Sequence, residues 1–295
     1  MVPSISGSSF GRAVVALIIV VPVALGLAYL AAGDPPFEDL AEAAARKVRR
    51  IEWAVPVAVL NLMFAAFVGV QLEFLFGGRD RVLRTSGLTY AEYARSGFWQ
   101  LLVVVALTVV VIGVAARLAP RTDRADRVLI RVMLGLLCGL SLVIVASALN
   151  RMRVYDDAYG FTRERIAVAA AEIWLGIVFL LILGGGSTLR ATNVARAAAV
   201  TAVLTLLTVA YANPDAFIAN HDVDRFHRTG RIDVAYLSRL SADAIPALDR
   251  LPEPQRSCAI APILERMAES GDDWRSWNLG RRTVRDDLAT GAITC

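Results

Sequence analysis

Glu172 is the residue of this chain with the most chemical promise, because it is a carboxylate inside an apolar run, about Ile166 to Leu183. It lies some seven residues in, roughly 10 Å at the rise of an α-helix. A charge at that depth is costly and often functional. Such a group could take a proton or a cation, pair with an arginine, or make a structural hydrogen bond to a neighbouring helix. Glu73 and Gln71 end an earlier apolar run and read as headgroup-facing. A second set crowds one polar stretch: Arg151, Arg153, Tyr155, Tyr159, Thr162, Arg163 and Arg165, with Asp156 and Asp157. Guanidinium groups beside tyrosines suit phosphate or anionic headgroups, although the same residues also anchor ordinary membrane helices. A third set is His221, Asp222, Asp224 and His227. Of these, His221, Asp224 and His227 are the types that could hold a divalent metal. Arg225 and Arg228 stand among them and disfavour a cation. The expected reading is therefore no metal, on a solvated interfacial helix. Trp274 and Trp277, beside Asp272, Asp273 and Arg275, could bind a sugar or dock on a membrane; packing within their own segment is preferred.

The elements that carry these residues are membrane-like. The chain has 295 residues, 56% of them hydrophobic, and the apolar residues lie in long runs rather than scattered periodically. Six spans are expected: about 13–32, 53–76, 98–118, 128–149, 166–183 and 195–211. The first is read as retained, since its ~20 residues exceed a usual signal-peptide core. The fold class is an all-α polytopic bundle with interfacial amphipathic helices. One such helix is expected over Phe37–Arg50, acidic at its start and basic at its end. Another starts near Tyr90, after the capping-box pair Thr89 and Glu92. Pro56 is placed in the first turn of the second span. Residues 150–166 (NRMRVYDDAYGFTRERI) are expected to form a polar loop, with Gly160 as a turn and Thr162 as a helix cap. Thr201, Thr205 and Thr208 share one face of the sixth span, which predicts packing of that face on another helix.

Residues 213–295 are expected to form a small helical extramembrane domain, with residues 1–212 as the transmembrane bundle. Ile232, Tyr236 and Leu240 recur at helical spacing, with Asp233 and Ser241 as caps. Further helices are expected over Ile260–Met267 and Trp274–Leu288. Cys258 and Cys295 could form one disulfide if this segment faces an oxidising space.

The net charge of +4 is spread over many loops, which speaks for interfacial arginine rather than nucleic-acid binding. Of the basic residues only Lys47 is lysine, a composition typical of a GC-rich bacterial genome. A bacterial plasma membrane is the expected location. Basic residues on alternate loops differ only slightly in number, and this with the cysteine pair favours an extracytoplasmic 213–295 segment. No P-loop, nucleophile elbow, GxGxxG in context or HExxH is present, and no cofactor is implied. The expected function is a non-enzymatic scaffold, sensor or accessory subunit in contact with the bilayer, anionic headgroups, and other membrane proteins or a second copy. The alternative is a transporter or lipid-handling protein using Glu172 and the loop arginines. A membrane transferase is a further alternative, for which Glu73 or Asp156 and Asp157 would have to serve.

Three pieces carry a family resemblance: residues 76–101 (FGG…LTYAEYARSGFWQL), 147–166 (SALNRMRVYDDAYGFTRERI) and 213–279 (NPDAFIA through DWRSWNL). Together they resemble the bacterial integral-membrane "domain of unknown function 4173" proteins, related to the 4153 group. The resemblance rests on Tyr159, Gly160, Phe161, Thr162 and Arg165, then on Asp222, Arg225, Thr229, Gly230, Asp233, Tyr236 and Leu237. Asp222 stands where the pattern has asparagine. The resemblance covers about residues 50–290 and implies a membrane protein with no established activity. It also implies that the segment from Asn213 to Leu248 is a helix-turn-helix closing the bundle, in which Asp222, Arg225, Gly230, Asp233 and Tyr236 hold shape.

Overall fold

The computed structural model describes residues 49–76, 98–119, 123–185 and 191–269. Among them there are helices and turns and no strand. Nine α-helices are described: α1 Arg50–Phe76, α2 Phe98–Leu118, α3 Arg124–Tyr159, α4 Arg163–Gly185, α5 Ala191–Tyr211, α6 Pro214–Thr229, α7 Val234–Leu237, α8 Ile245–Leu248 and α9 Gln255–Glu269. The expected first span, the interfacial helix over Phe37–Arg50 up to residue 48, the one from Tyr90, the segment Trp274–Leu288, and Cys295 lie outside the described residues. So do the side chains of Gln71 and Glu73.

Four helical stretches are long and apolar enough to cross a membrane: Arg50–Val70, Arg124–Tyr159, Arg163–Gly185 and Asn193–Tyr211. The expected third span corresponds to α2, whose apolar stretch Leu101–Ala116 is shorter. Among the described residues the count is thus four rather than about six. Large apolar side chains point outward along these helices. Leu62 is 72% exposed, and Met63, Leu136, Leu204 and Leu207 are likewise uncovered.

The described residues separate into two compact units. One contains residues 154–167 together with the chain from Leu207 onward; the other contains the remainder. In the first-mentioned unit, Ile218, Val223, Leu237, Ile245, Leu248 and Ile263 are buried, and Phe161 and Ile166 pack against them. Residues 154–167 therefore share a core with a segment that begins forty residues later, whereas sequence alone divided the chain at 212/213.

The helical unit is organised around buried Leu102, Leu137, Ile144 and Phe179. Several of its polar side chains bond locally or across helices. Ser141 and Thr108 donate to the carbonyls of Leu137 and Val104, four residues back (2.8 and 2.7 Å). Asn61 donates across to Met133 O at 3.1 Å, joining α1 to α3. Arg50 and buried Asp126 pair at 2.6 Å where these two helices begin.

Three expectations are corrected. The polar loop is only three residues long, because α3 continues to Tyr159. Arginine, methionine and alanine favour helix there, and Met152 is buried. Pro56 is inside α1, not in its first turn, since the helix starts at Arg50 under a bond from Arg49 N–H to the Glu52 carboxylate. The threonine face of α5 is not its packing face. Ala199 and Ala202 are buried instead, and Trp174 Nε1 donates to Ala198 O at 3.1 Å. Thr201 and Thr205 bond back to their own helix. Small alanines let the α4 indole approach the α5 backbone, which threonine would obstruct.

Candidate functional site

The three-residue turn between α3 and α4 is built by its own sequence. Gly160 N–H bonds to Asp156 O at 2.7 Å, and Gly160 has φ +85°, a left-handed conformation that glycine enters without strain. Thr162 Oγ1 then accepts from Arg165 N–H at 3.4 Å and caps α4. Nearby, α6 is capped at both ends. Asn213 accepts from Ala216 N–H, Pro214 occupies the first position, and Gly230 closes the helix with φ +69°.

Packing brings the turn and α6 together through side chains. Asp222 Oδ1 accepts the Phe161 N–H at 2.9 Å. A Cβ on Gly160 would lie 2.6 and 2.8 Å from the two Asp222 oxygens and 3.0 Å from an Arg225 nitrogen. Arg225 Nη1 donates to Ala158 O at 3.3 Å, one of the terminal carbonyls of α3. Arg165 donates to Gly160 O, lies 3.5 Å from Asp156, and stacks over the Tyr155 ring at 4.3 Å. Tyr155 and Tyr159 are themselves stacked, with centroids 4.6 Å apart.

A second cluster secures the start of α4. Arg163 grips the Asp215 carboxylate with two donors, Nε at 2.6 Å and Nη2. Asp215 also accepts the Ser241 N–H at 2.7 Å. The Arg163 N–H donates to the Tyr236 hydroxyl at 2.8 Å, and Asp233 caps α7 by accepting from Tyr236 N–H. Ser241 directs its hydroxyl to Asp243 rather than to a backbone N–H.

The carboxylates respond to these partners. Burial raises the Asp222 pKa, and the Phe161 N–H and the charge of Arg225 only partly offset it. Burial also works to raise that of Asp215. Its bonds from Arg163 and Ser241 outweigh burial and hold it below the usual carboxylate range. The Tyr236 hydroxyl is pushed up, first by burial.

Of the residues singled out from sequence, Tyr155, Tyr159, Arg165 and Arg225 meet here. Arg151 and Arg153 are on α3 in the other unit. Glu172 is also there, 2% exposed. Asp156 is buried and engaged by Arg165, while the adjacent Asp157 is exposed, so the two do not form a facing pair of carboxylates. His221, Asp224 and His227 line a shallow depression with Arg228 and Arg250. Asp224 is paired with Arg250, and the His221 ring lies against Phe217 with centroids 4.0 Å apart and planes tilted by 33°. Among the described residues no group of three histidine, cysteine or acidic side chains is gathered for a metal. The helix bearing them is not wholly solvated: Ile218, Ala219, Asp222, Val223 and Arg225 are buried. Cys258 is exposed. Asp215 was not singled out from sequence. An acidic residue after proline at a helix start reads as a dipole partner, and nothing local announces Arg163, fifty-two residues earlier.

In the turn cluster each carboxylate already receives a donor from the chain itself. The arrangement is therefore suited to holding backbone in place rather than to acid–base chemistry. Among the described residues, the fold and this cluster define an all-helical architecture with a clamped interhelical turn and four helices long and apolar enough to cross a membrane. The chain belongs to the family described as "Domain of unknown function (DUF4153)", whose model matches residues 1–251. The matched family is thus the 4153 group, which the turn and α6 motifs had pointed to as a relative. No curated protein matches the chain, and no solved structure does.

Proposed function

We propose that this is a multi-pass integral membrane protein of a bacterial plasma membrane, serving as a scaffold, sensor or accessory subunit rather than as an enzyme. The observation that carries the reading is the outward apolar surface of four long helices, with Ile51 67%, Leu62 72% and Leu207 60% exposed. Water would not tolerate so much contiguous apolar area, and lipid would. The clamp between the α3–α4 turn and α6 supports a shape-holding role for the unit that contains residues 154–167 and the chain from Leu207 onward. Bilayer lipid is the first partner; other membrane proteins or a second copy are the next. Anionic headgroups would meet exposed arginines such as Arg153, Arg228 and Arg231, because Arg163, Arg165 and Arg225 are turned to the chain's own oxygens. A 213–295 segment on the extracytoplasmic side, and closer kinship with the 4173 group, complete the reading. Fractionation of expressing cells tests it. The protein should remain with membranes through alkaline carbonate and leave only in detergent. Release by carbonate would refute it.

One observation favours a transporter as the second reading: the carboxylate of Glu172 in the middle of α4.

A further inference from the structure

α4 is 23 residues long, and Glu172 is nine residues after its first. That puts it roughly 14 Å along a helix of about 35 Å, close to the middle of a spanning segment. It shares a helix face with Val168, Leu175 and Gly176, all buried, while Ile173 and Leu180 face outward. A Cβ on Gly176 would lie 3.5 Å from Val145 of α3. Glu172 is one turn before Gly176, so the antiparallel register puts it level with residues 147–149 of α3. It therefore faces protein, not the outer surface. Among the described residues its Oε2 has no hydrogen-bond partner. No arginine or lysine pairs with it among the described ion pairs, which involve Asp126, Asp156, Asp215, Asp224, Asp249 and Glu253.

A lone carboxylate in this setting has few choices. An ionised one would sit in low dielectric without a counter-charge. A sodium- or calcium-like cation needs several oxygen ligands; on α4 the neighbours Val168 and Leu175 are hydrocarbon, and of residues 147–149 of α3 only Ser147 carries a side-chain oxygen. A proton needs only the carboxyl group. We propose that Glu172 is a proton-binding site within the helical unit, carrying its proton as the neutral acid and exchanging it with the aqueous phase. The inference rests on α4 being a membrane-crossing helix, and it supplies the transport reading with a ligand.

The test uses the full chain in nanodiscs of zwitterionic lipid. In apolar surroundings a protonated carboxyl group gives its proton to a nitrogen of a hydrophobic carbodiimide and its oxygen adds to the central carbon; peptide mass mapping locates the adduct. We expect Glu172 to be the principal adduct at mildly alkaline pH. Infrared spectra should show a carboxylic acid carbonyl band that shifts on transfer to D2O and is lost in E172Q. Should E172Q fail to fold, the adduct map of the unaltered protein still decides. An unlabelled Glu172, or an acid band that does not shift in D2O, overturns the proposal. Maleimide labelling of cysteines placed at the ends of α3 reports separately on whether the helices cross, so failure of the membrane reading is distinguishable from failure of the proton site.

Discussion

The carboxylate of Asp222 fills the space that a Cβ on Gly160 would need, at 2.6 and 2.8 Å. Two independent demands therefore fall on one glycine: a left-handed φ and the absence of a side chain. Gly160→Ala should destabilise the protein by about 2 kcal/mol or more, combining backbone strain of about 1–2 kcal/mol with a displaced buried carboxylate. Thermal unfolding of the purified protein measures this. In the double variant Gly160→Ala with Asp222→Ala, the clash with the carboxylate is gone, and Gly160→Ala adds mainly its φ cost to that of Asp222→Ala. The two changes should then add up to less than their sum.

Asp222→Ala leaves the Phe161 N–H without its acceptor and removes a carboxylate whose charge Arg225 favours. Leaving a buried donor without its acceptor costs about 1–3 kcal/mol. Asp222→Asn keeps a carbonyl oxygen for the Phe161 N–H and should cost clearly less. Equal losses in denaturant unfolding would mean that the hydrogen bond to the turn contributes nothing.

Asp215 and Asp222 should give opposite pH dependences. The folded pKa of Asp215 is lowered, so its stabilisation is complete above the unfolded pKa, about 3.9, and is lost as pH falls through the folded value. That of Asp222 is raised, so its contribution is complete below the unfolded pKa and is lost as pH rises through the folded value. Asp215→Asn should flatten the acid side of a plot of Tm against pH. Asp222→Asn should remove the loss seen as pH rises above about 4. Parallel curves for both variants and the parent protein would contradict these assignments.

Ala202 is buried, one helical turn from the Ala198 carbonyl that receives the Trp174 N–H. Ala202→Leu should push α4 and α5 apart and cost about 1–3 kcal/mol by overpacking. Trp174 emission in a variant retaining no other tryptophan would shift as its hydrogen bond is lost. Thr205→Leu, on the half-exposed face, should change neither stability nor emission appreciably.

Much of the helical framework is legible from residue patterns alone. The long apolar runs announce α1, α3, α4 and α5, and Thr162, Asp233 and Gly160 announce their local roles. The clamp is not legible, because it depends on pairs such as Arg163–Asp215 and Phe161–Asp222, separated by 52 and 61 residues. Periodicity reports which face of a helix is apolar, not which distant carboxylate an arginine will meet. The same limit explains why the stretch 150–159 read as a polar loop: its charges are real, but an interhelical turn needs only Gly160 to Thr162. On α5 the threonine pattern was the more visible signal, yet alanine is what the Trp174 contact requires.

The central claim is that these helices cross a bilayer, and α3 tests it most directly. Arg124 and Asp157 are exposed near its two ends, and Leu136 is exposed between them. In a background lacking Cys138, Cys258 and Cys295, the variants Arg124→Cys, Asp157→Cys and Leu136→Cys can be exposed to a membrane-impermeant maleimide in intact cells and after lysis. The account predicts that one end labels in intact cells, the other only after lysis, and Leu136→Cys in neither until detergent is added. Labelling of both ends from the same side, or of Leu136→Cys without detergent, would contradict it.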